Sequence, residues 1–241
     1  LPDAGVAPSP VTALLHAAVL VKIGVYVYAR LFVATFPLGE LWHTVIPAIA
    51  ATSALVSAGA ALVATDMKRI IAYSTVSQIA FILLGFGVGT ELAVAGGLLY
   101  ILMHGLTKGG LFLCAGIVEQ NTRTKDITRM GGLIATMPVT AISFLVCSFS
   151  VMGIPPFGGF FSKYLVFAGT MSAGHYVIGG VFLVGAFLTI LYLARIFSMV
   201  FLGDLRIANT REGSATMVTA VALLAALSLA GGLCIAIPSG F

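Results

Sequence analysis

Charged residues are scarce in this chain. Asp, Glu, Lys and Arg make up 8% of its 241 residues, whereas hydrophobic residues make up 60%. A soluble domain carries about 25% charged residues. Because a surface with so little charge cannot remain in water, we expect a lipid bilayer to surround most of the chain. The composition therefore predicts an all-α fold, a polytopic bundle of transmembrane helices.

Several kinds of site are also missing. The net charge is +4, but the basic residues are scattered or lie in short loops, without the basic patch that nucleic-acid binding requires. There is no dinucleotide fingerprint and no cysteine cluster for an iron–sulfur centre. The three cysteines stand singly in apolar runs, which favours small buried side chains over metal ligands: Cys114, Cys147 and Cys234. We therefore predict no nucleic-acid partner, no metal, no cofactor and no catalytic residue.

The first ten residues, LPDAGVAPSP, form a polar and proline-rich segment. They contain neither an initiator methionine nor the features of a signal peptide. We interpret residues 1–241 as a single transmembrane domain that is a piece of a longer subunit. Further helices are then expected upstream of it.

Seven apolar runs are long enough to cross a bilayer, which takes about 20 residues. They cover residues 11–33, 44–64, 70–89, 93–118, 132–170, 176–202 and 214–237. As one straight helix the fifth run would reach ~58 Å at ~1.5 Å per residue, against a hydrocarbon core of ~30 Å. It also contains a cluster of residues that cannot continue a helix: Gly153, Pro155, Pro156, Gly158 and Gly159. This run is either two spans or one broken span.

The charges of the loops separate these alternatives. Lys and Arg occur in the loops near residues 65–69, 119–130 and 203–213, and they are absent from those near 34–43, 90–92 and 171–175. Basic loops face the cytoplasm, and the alternation holds only if the fifth run crosses once. The sequence thus predicts seven crossings with the fifth helix broken, a cytoplasmic N-terminus and a C-terminus on the opposite side. Transporters build ion sites at such breaks; the alternative is a proline kink without function.

Five basic side chains lie inside the predicted helices. They are His16 and Lys22 on the first helix, His104 and Lys108 on the fourth, and Lys163 beyond the break. A charge at the bilayer centre costs at least ~2.5–3.5 kcal/mol, and amines and imidazoles can exchange protons. These residues are the candidate proton relay. For Lys22 and Lys163 the alternative is a structural ion pair, and for His104 it is a hydrogen-bonded core histidine. For Lys108 and His16 a relay role and a structural role both stand.

Carboxylates are absent from the interior of the predicted helices. Every Asp and Glu lies in a loop or near a helix end, so the buried amines require water or a counter-charge from other helices. The remaining charged residues close to helix ends are interpreted as anchors at the membrane surface. They are Arg30, Lys68, Arg69, Glu119 and Arg195.

Four segments, in the same order along the chain, resemble one family of membrane proteins. The segments are LPDAGVAPSPVTALLHAAVLVKIGVYVYAR (1–30), ATDMKRIIAYSTVSQIAFILLG (64–85), LMHGLTKGGLFLCAG (102–116) and GIPPFGGFFSKYLVF (153–167). They resemble the antiporter-like subunits: the proton-pumping membrane subunits of respiratory complex I, the large subunits of Mrp-type antiporters and their relatives in membrane-bound hydrogenases. The resemblance covers approximately residues 1–203.

The resemblance implies a role for each buried basic residue. Members of the family contain two inverted helical repeats, each with one broken helix, and this chain corresponds to the C-terminal half. Lys22 matches a lysine of the central hydrophilic axis, and His104 and Lys108 match a histidine–lysine pair farther along it. Lys163 matches the terminal proton-exchange group, and His16 matches a histidine that some members carry.

The function implied by the resemblance is proton translocation as a non-catalytic subunit of a complex I-type NADH:quinone oxidoreductase. The alternatives are a component of an Mrp-type Na⁺/H⁺ antiporter, the membrane part of an energy-converting hydrogenase, and a structural scaffold without transport. The expected partners are other membrane subunits, the bilayer, and protons or Na⁺. The expected location is a bacterial or archaeal cytoplasmic membrane, as a multi-pass protein.

Overall fold

A computed structural model describes residues 9–18 and 20–239, and this part of the chain is almost wholly helical. The helices are α1 (Ser9–Ala13), α2 (Leu20–Tyr28), α3 (Trp42–Val63), α4 (Met67–Val88), α5 (Glu91–Thr122), α6 (Pro138–Met152), α7 (Gly158–Ser172), α8 (Tyr176–Phe201) and α9 (Ala215–Ser239). Wider π-helical turns follow α1 and α2, at Leu14–Ala18 and Ala29–Val33. The predicted all-α helix bundle is confirmed.

The number of membrane crossings follows from the helix lengths. Within the described residues, six helical stretches are long and apolar enough to cross a membrane, the first being Pro10–Val33. Helices α6 and α7 have 15 residues each, or ~22 Å at ~1.5 Å per residue. Each alone is too short to span a hydrocarbon core of ~30 Å, but the two, one after the other, are long enough to form a seventh crossing.

Hydrogen bonds between loops identify one end of the bundle as basic. The amide of Met67 donates to the carbonyl of Lys125 at 2.8 Å, which joins the loop after α3 to the loop after α5. The amide of Gly132 donates to the carbonyl of Leu202 at 2.9 Å, which brings the end of α8 to the same place. The three loops predicted to be cytoplasmic therefore share one end, which we call the basic end.

The other end holds the loops without Lys or Arg. The ring of His43 lies 2.9 Å from the carbonyl oxygen of Gly87, and the hydroxyl of Thr90 donates to the carbonyl of Gly169. The end of α7 is thus opposite the start of α6, so the two half-length helices cross the bundle once. The prediction of a single broken crossing is confirmed.

The break in the fifth span covers Gly153 to Phe157. Helix α6 stops because Gly153 takes a left-handed conformation, with φ +84°. Gly158 and Gly159, which the sequence assigned to the break, instead form the first turn of α7. A Cβ on Gly159 would collide with the carbonyl oxygen of Ser150. Glycine at this position therefore allows the two half-helices to approach each other closely.

Ion pairs and caps stabilise the basic end. Lys68, which is 3% exposed, pairs with Glu119 at 2.6 Å, and Lys125 lies 3.4 Å from the same carboxylate. Helix α5 extends to Thr122, beyond its predicted end at residue 118, so that Glu119 belongs to its last turn. The carboxylate of Glu212 accepts hydrogen bonds from the first turn of α6, where the helix dipole favours a negative charge.

The centre and the edge of the bundle differ in burial. Helices α4 and α5 are the most enclosed of the long helices, whereas α9 is the least enclosed. Cys114 and Cys147 are buried as predicted, but the prediction that all three cysteines are buried was wrong for Cys234, which is exposed. Its helix, α9, packs at the edge of the bundle, so one side of that helix faces outward.

Candidate functional site

Three polar side chains follow one face of the central helix α5. Tyr100, His104 and Lys108 are spaced four residues apart, which places them in one row along a helix. His104 is fully buried, and neither ring nitrogen has a hydrogen-bond partner among the described residues. The ring of Tyr100 meets that of His104 edge-on, with 6.1 Å between the centroids.

The amine of Lys108 points from α5 towards α4. It donates to the hydroxyl of Ser74 and, at 3.4 Å, to the carbonyl oxygen of Ile71. The side chain is completely buried. Because an ammonium without partners is strongly disfavoured inside a protein, these two oxygen acceptors are what allow the lysine to be there.

Lys163 lies beside the break in the fifth span. Its Nζ donates to the carbonyl oxygen of Val151 at 2.6 Å, at the C-terminal end of α6. The negative end of a helix dipole attracts a cation, and the rings of Phe81 and Tyr100 lie 5.3 Å and 5.9 Å from the same nitrogen. The break therefore supplies a carbonyl and a helix end to a buried amine.

Lys22 approaches the same region from the first span. It is 8% exposed, and a Cβ added to Gly105 would lie 2.7 Å from its Nζ. Glycine at position 105, next to His104, therefore leaves the space that the amine occupies.

The structure brings four of the five predicted relay residues together. Lys22 lies against Gly105 beside His104, Lys108 follows His104 by one turn, and the Nζ of Lys163 lies 5.9 Å from the ring centroid of Tyr100, one turn before His104. None of the described carboxylates forms an ion pair with any of these amines. His16 is buried separately; its ring packs against Phe112 at 4.8 Å, and its Nδ1 lies 3.0 Å from the carbonyl oxygen of its own helix at Thr12. The relay function of all five residues stays a prediction.

A group of polar side chains that we did not predict from the sequence lies between Lys108 and Tyr100, whose ring centroid is 5.9 Å from the Nζ of Lys163. Its members are Ser74 and Gln78 on α4, Tyr100 on α5, and Thr189 and Tyr192 on α8. All of them are buried. The available signal was the polar stretch YSTVSQ inside the third apolar run, together with the tyrosine four residues before His104.

The chemistry that this arrangement supports is proton transfer. The cluster contains three amines and an imidazole, each of which exists in a protonated and a neutral form. Like charges so close together in a poorly solvated interior repel one another. A proton on one group therefore disfavours protonation of its neighbours. The neighbours stay neutral and are able to accept the proton next.

Known membrane proteins are similar to this chain in sequence. A family profile described as "NADH:quinone oxidoreductase/Mrp antiporter, TM" matches residues 1–189. NADH-quinone oxidoreductase subunit L of Mycobacterium tuberculosis is 36% identical over 242 residues, covering 96% of this chain and 37% of the relative. One Na(+)/H(+) antiporter subunit of Bacillus subtilis is 37% identical over 187 residues, covering 73% of this chain and 23% of the relative.

The similarity in fold agrees with the similarity in sequence. A chain in the structure of respiratory complex I from Thermus thermophilus superposes with a TM-score of 0.85 at 28% identity, covering 94% of this chain and 48% of that one. This chain thus spans less than half the length of each of these relatives. It is an integral, multi-pass membrane protein, and it belongs to the NADH:quinone oxidoreductase/Mrp antiporter transmembrane family.

Proposed function

We propose that this chain moves protons across the membrane as part of an antiporter-like subunit. The observation that carries the proposal is the buried cluster of Lys22, His104, Lys108 and Lys163 beside a broken helix. Groups that titrate are rare inside membrane proteins, and they commonly mark ion pathways. Here their cost is not offset by carboxylates among the described residues, so a purely structural role in ion pairs is not supported.

In the proposed mechanism, His104 exchanges protons with the lysines around it. Its two ring nitrogens have no partners among the described residues, so the imidazole can accept a proton on one nitrogen and release the other. Lys22 lies against Gly105, the residue after His104, and Lys108 lies one turn further along α5. A change in the charge of one amine alters the proton affinity of the imidazole. Each proton transfer therefore depends on the transfer before it.

Lys163 is the proposed exchange group towards the far half of the path. The C-terminal end of α6 stabilises its protonated form through the carbonyl of Val151. Freed backbone groups at a helix break also hold water at membrane depth. The amine therefore has a stabilised charged state and a route along which its proton can leave.

The residues of the cluster favour H⁺ over Na⁺ as the ion that passes through it. Hard metal cations are bound by oxygen ligands, whereas the side chains here are amines and an imidazole, whose nitrogens bind protons and which repel cations once protonated. We propose that the energy comes from other membrane subunits of a larger complex, as the similarity to the Mycobacterium and Bacillus proteins implies.

Replacement of Lys163 tests the proposal. In vesicles of the native membrane, Lys163→Ala should lower coupled proton uptake by about 100-fold, since proton transfer by a positioned group contributes at least this factor. Lys163→Glu should retain part of the activity, because a carboxylate also exchanges protons. The matched control is Lys125→Ala at the basic end. Normal proton uptake by a well-assembled Lys163→Ala protein would rule out the proposed exchange group.

A further inference from the structure

A buried side-chain amide joins α4, α5 and α8 between two of the buried lysines. The amide belongs to Gln78, and it contacts three hydroxyl groups, those of Tyr100, Thr189 and Tyr192. Together with Ser74 these groups form a row of polar side chains, which we call the link. At one end Lys108 donates to Ser74, and at the other the ring centroid of Tyr100 lies 5.9 Å from the Nζ of Lys163. Because a row of hydroxyls can carry a proton, the position of each proton in it matters.

Thr189 determines which way the amide is oriented. The hydroxyl of Thr189 donates to the carbonyl oxygen of Gly185 at 2.9 Å, so its oxygen is left to accept. The nitrogen of Gln78, 3.2 Å from that oxygen, must therefore be the donor. The carbonyl oxygen of the amide then faces Tyr100, whose hydroxyl donates to it.

The same reasoning assigns the protons at the other end of the link. The hydroxyl oxygen of Tyr192 accepts from the amide nitrogen of Gln78 at 3.3 Å, and the hydroxyls of Thr189 and Ser74 both lie beside it. Ser74 donates to the carbonyl of Ile71 at 2.7 Å, and its oxygen accepts from Lys108. The proton of Ser74 is thus engaged with Ile71, and the proton of Tyr100 with the carbonyl oxygen of Gln78.

An amide and a hydroxyl differ in their ability to pass a proton. A hydroxyl accepts and donates through the same oxygen, whereas an amide donates only from nitrogen and accepts only at oxygen. To reverse the link, the amide of Gln78 would have to rotate by half a turn. Its carbonyl would then meet the oxygen of Thr189, which would have to abandon Gly185.

We propose that Gln78 blocks direct proton transfer between Lys108 and Lys163. Its amide, oriented by Thr189 and Tyr100, cannot pass a proton from one tyrosine hydroxyl to the other. A proton moving between the two lysines must then pass by way of His104. This inference rests on the proposed function, and it excludes one route for the proton, the direct route along the link.

Gln78→Glu tests the block by replacing the amide with a group that can transfer protons. A carboxyl accepts a proton on one oxygen and releases it from the other, so the link should open. Vesicles under an imposed potassium potential, without any driving substrate, should show a passive proton conductance about tenfold above wild type. An assembled Gln78→Glu protein that conducts protons no faster than wild type overturns the proposal, as does a leak that passes a trapped dye equally well.

Gln78→Met provides a second test that does not depend on the first variant being stable. Methionine has a similar length but neither donates nor accepts as an amide does, so the link stays closed. Passive conductance should remain at the wild-type level, and coupled proton uptake should stay within about twofold of wild type. Coupled uptake as low as that of Lys163→Ala would show that protons travel through Gln78, contrary to the proposal. Uptake by the wild-type protein itself decides the proposed function, separately from these comparisons.

Discussion

Gly105 lies where the first span brings an amine against α5. Because a Cβ at this position would be 2.7 Å from the Nζ of Lys22, the absence of a side chain is what allows the lysine to sit beside His104. Four residues later on the same helix, a Cβ on Gly109 would meet only ordinary contacts, the nearest at 3.5 Å. The two glycines therefore form a matched pair on one helix.

We predict that Gly105→Ala lowers coupled proton uptake by about tenfold, because displacing a reacting group by a fraction of an ångström to an ångström is enough for such a loss. Gly109→Ala should remain close to wild type. Both variants should assemble, since alanine favours helix, and uptake in native vesicles with assembly measured separately checks this. Equal rates for the two variants would mean that the position of Lys22 does not matter for transport.

At the residue scale, the sequence was sufficient to find the groups that are costly in lipid. Lys22 and Lys163 stood out because a charged amine at membrane depth is costly and therefore indicates a function. Gln78 and Tyr192 did not, because glutamine and tyrosine occur within many helices and each is only weakly unfavourable. Their significance depends on contacts between α4 and α8, more than 100 residues apart in the chain, and no periodicity in the sequence reveals that pairing.

The broken span is the element on which the site depends. Its break was predictable because the fifth apolar run exceeds the thickness of a bilayer and contains adjacent prolines. Where α7 begins was not predictable, because Gly158 and Gly159 are poor helix formers taken alone. Glycine occupies both positions because α5 and the end of α6 come so close that side chains would not fit: a Cβ on Gly158 would meet Met103 of α5, and one on Gly159 would meet Ser150 of α6.

We predict that Gly159→Ala prevents the half-helices from docking. The added methyl would collide with the backbone carbonyl of Ser150, which cannot move as a side chain can, so the cost should be about 3 kcal/mol, the upper end of the usual range for overpacking. Gly180→Ala is the matched control, since a Cβ there has open space around it. That change should stabilise α8 by about 0.5–1 kcal/mol. The yield of assembled protein and its thermal unfolding midpoint measure both effects, and comparable midpoints would contradict this account of the break.

At the scale of the whole molecule, charge and connectivity give one consistent arrangement. Loops that carry Lys and Arg meet at one end through backbone hydrogen bonds, and loops without them meet at the other. The hydroxyls of Thr136 and Thr210 lie 2.8 Å apart, which places the start of the broken span beside the loop after α8. The basic end should be cytoplasmic, because positively charged loops are retained on that side.

Cysteine labelling can test this arrangement with alanines that share small size and exposure. Ala135 lies before the broken span, Ala173 directly after it, and Ala208 in the loop that follows α8. In a background with the native cysteines replaced, a membrane-impermeant maleimide should label Ala135→Cys and Ala208→Cys from the cytoplasmic side only. Ala173→Cys should react only from the opposite side.

Because α6 and α7 are each too short to cross alone, labelling of Ala135→Cys and Ala173→Cys from one side would mean that the pair turns back within the membrane. Lys163 would then have no path to the far side, and the proposed exchange group would lose its exit.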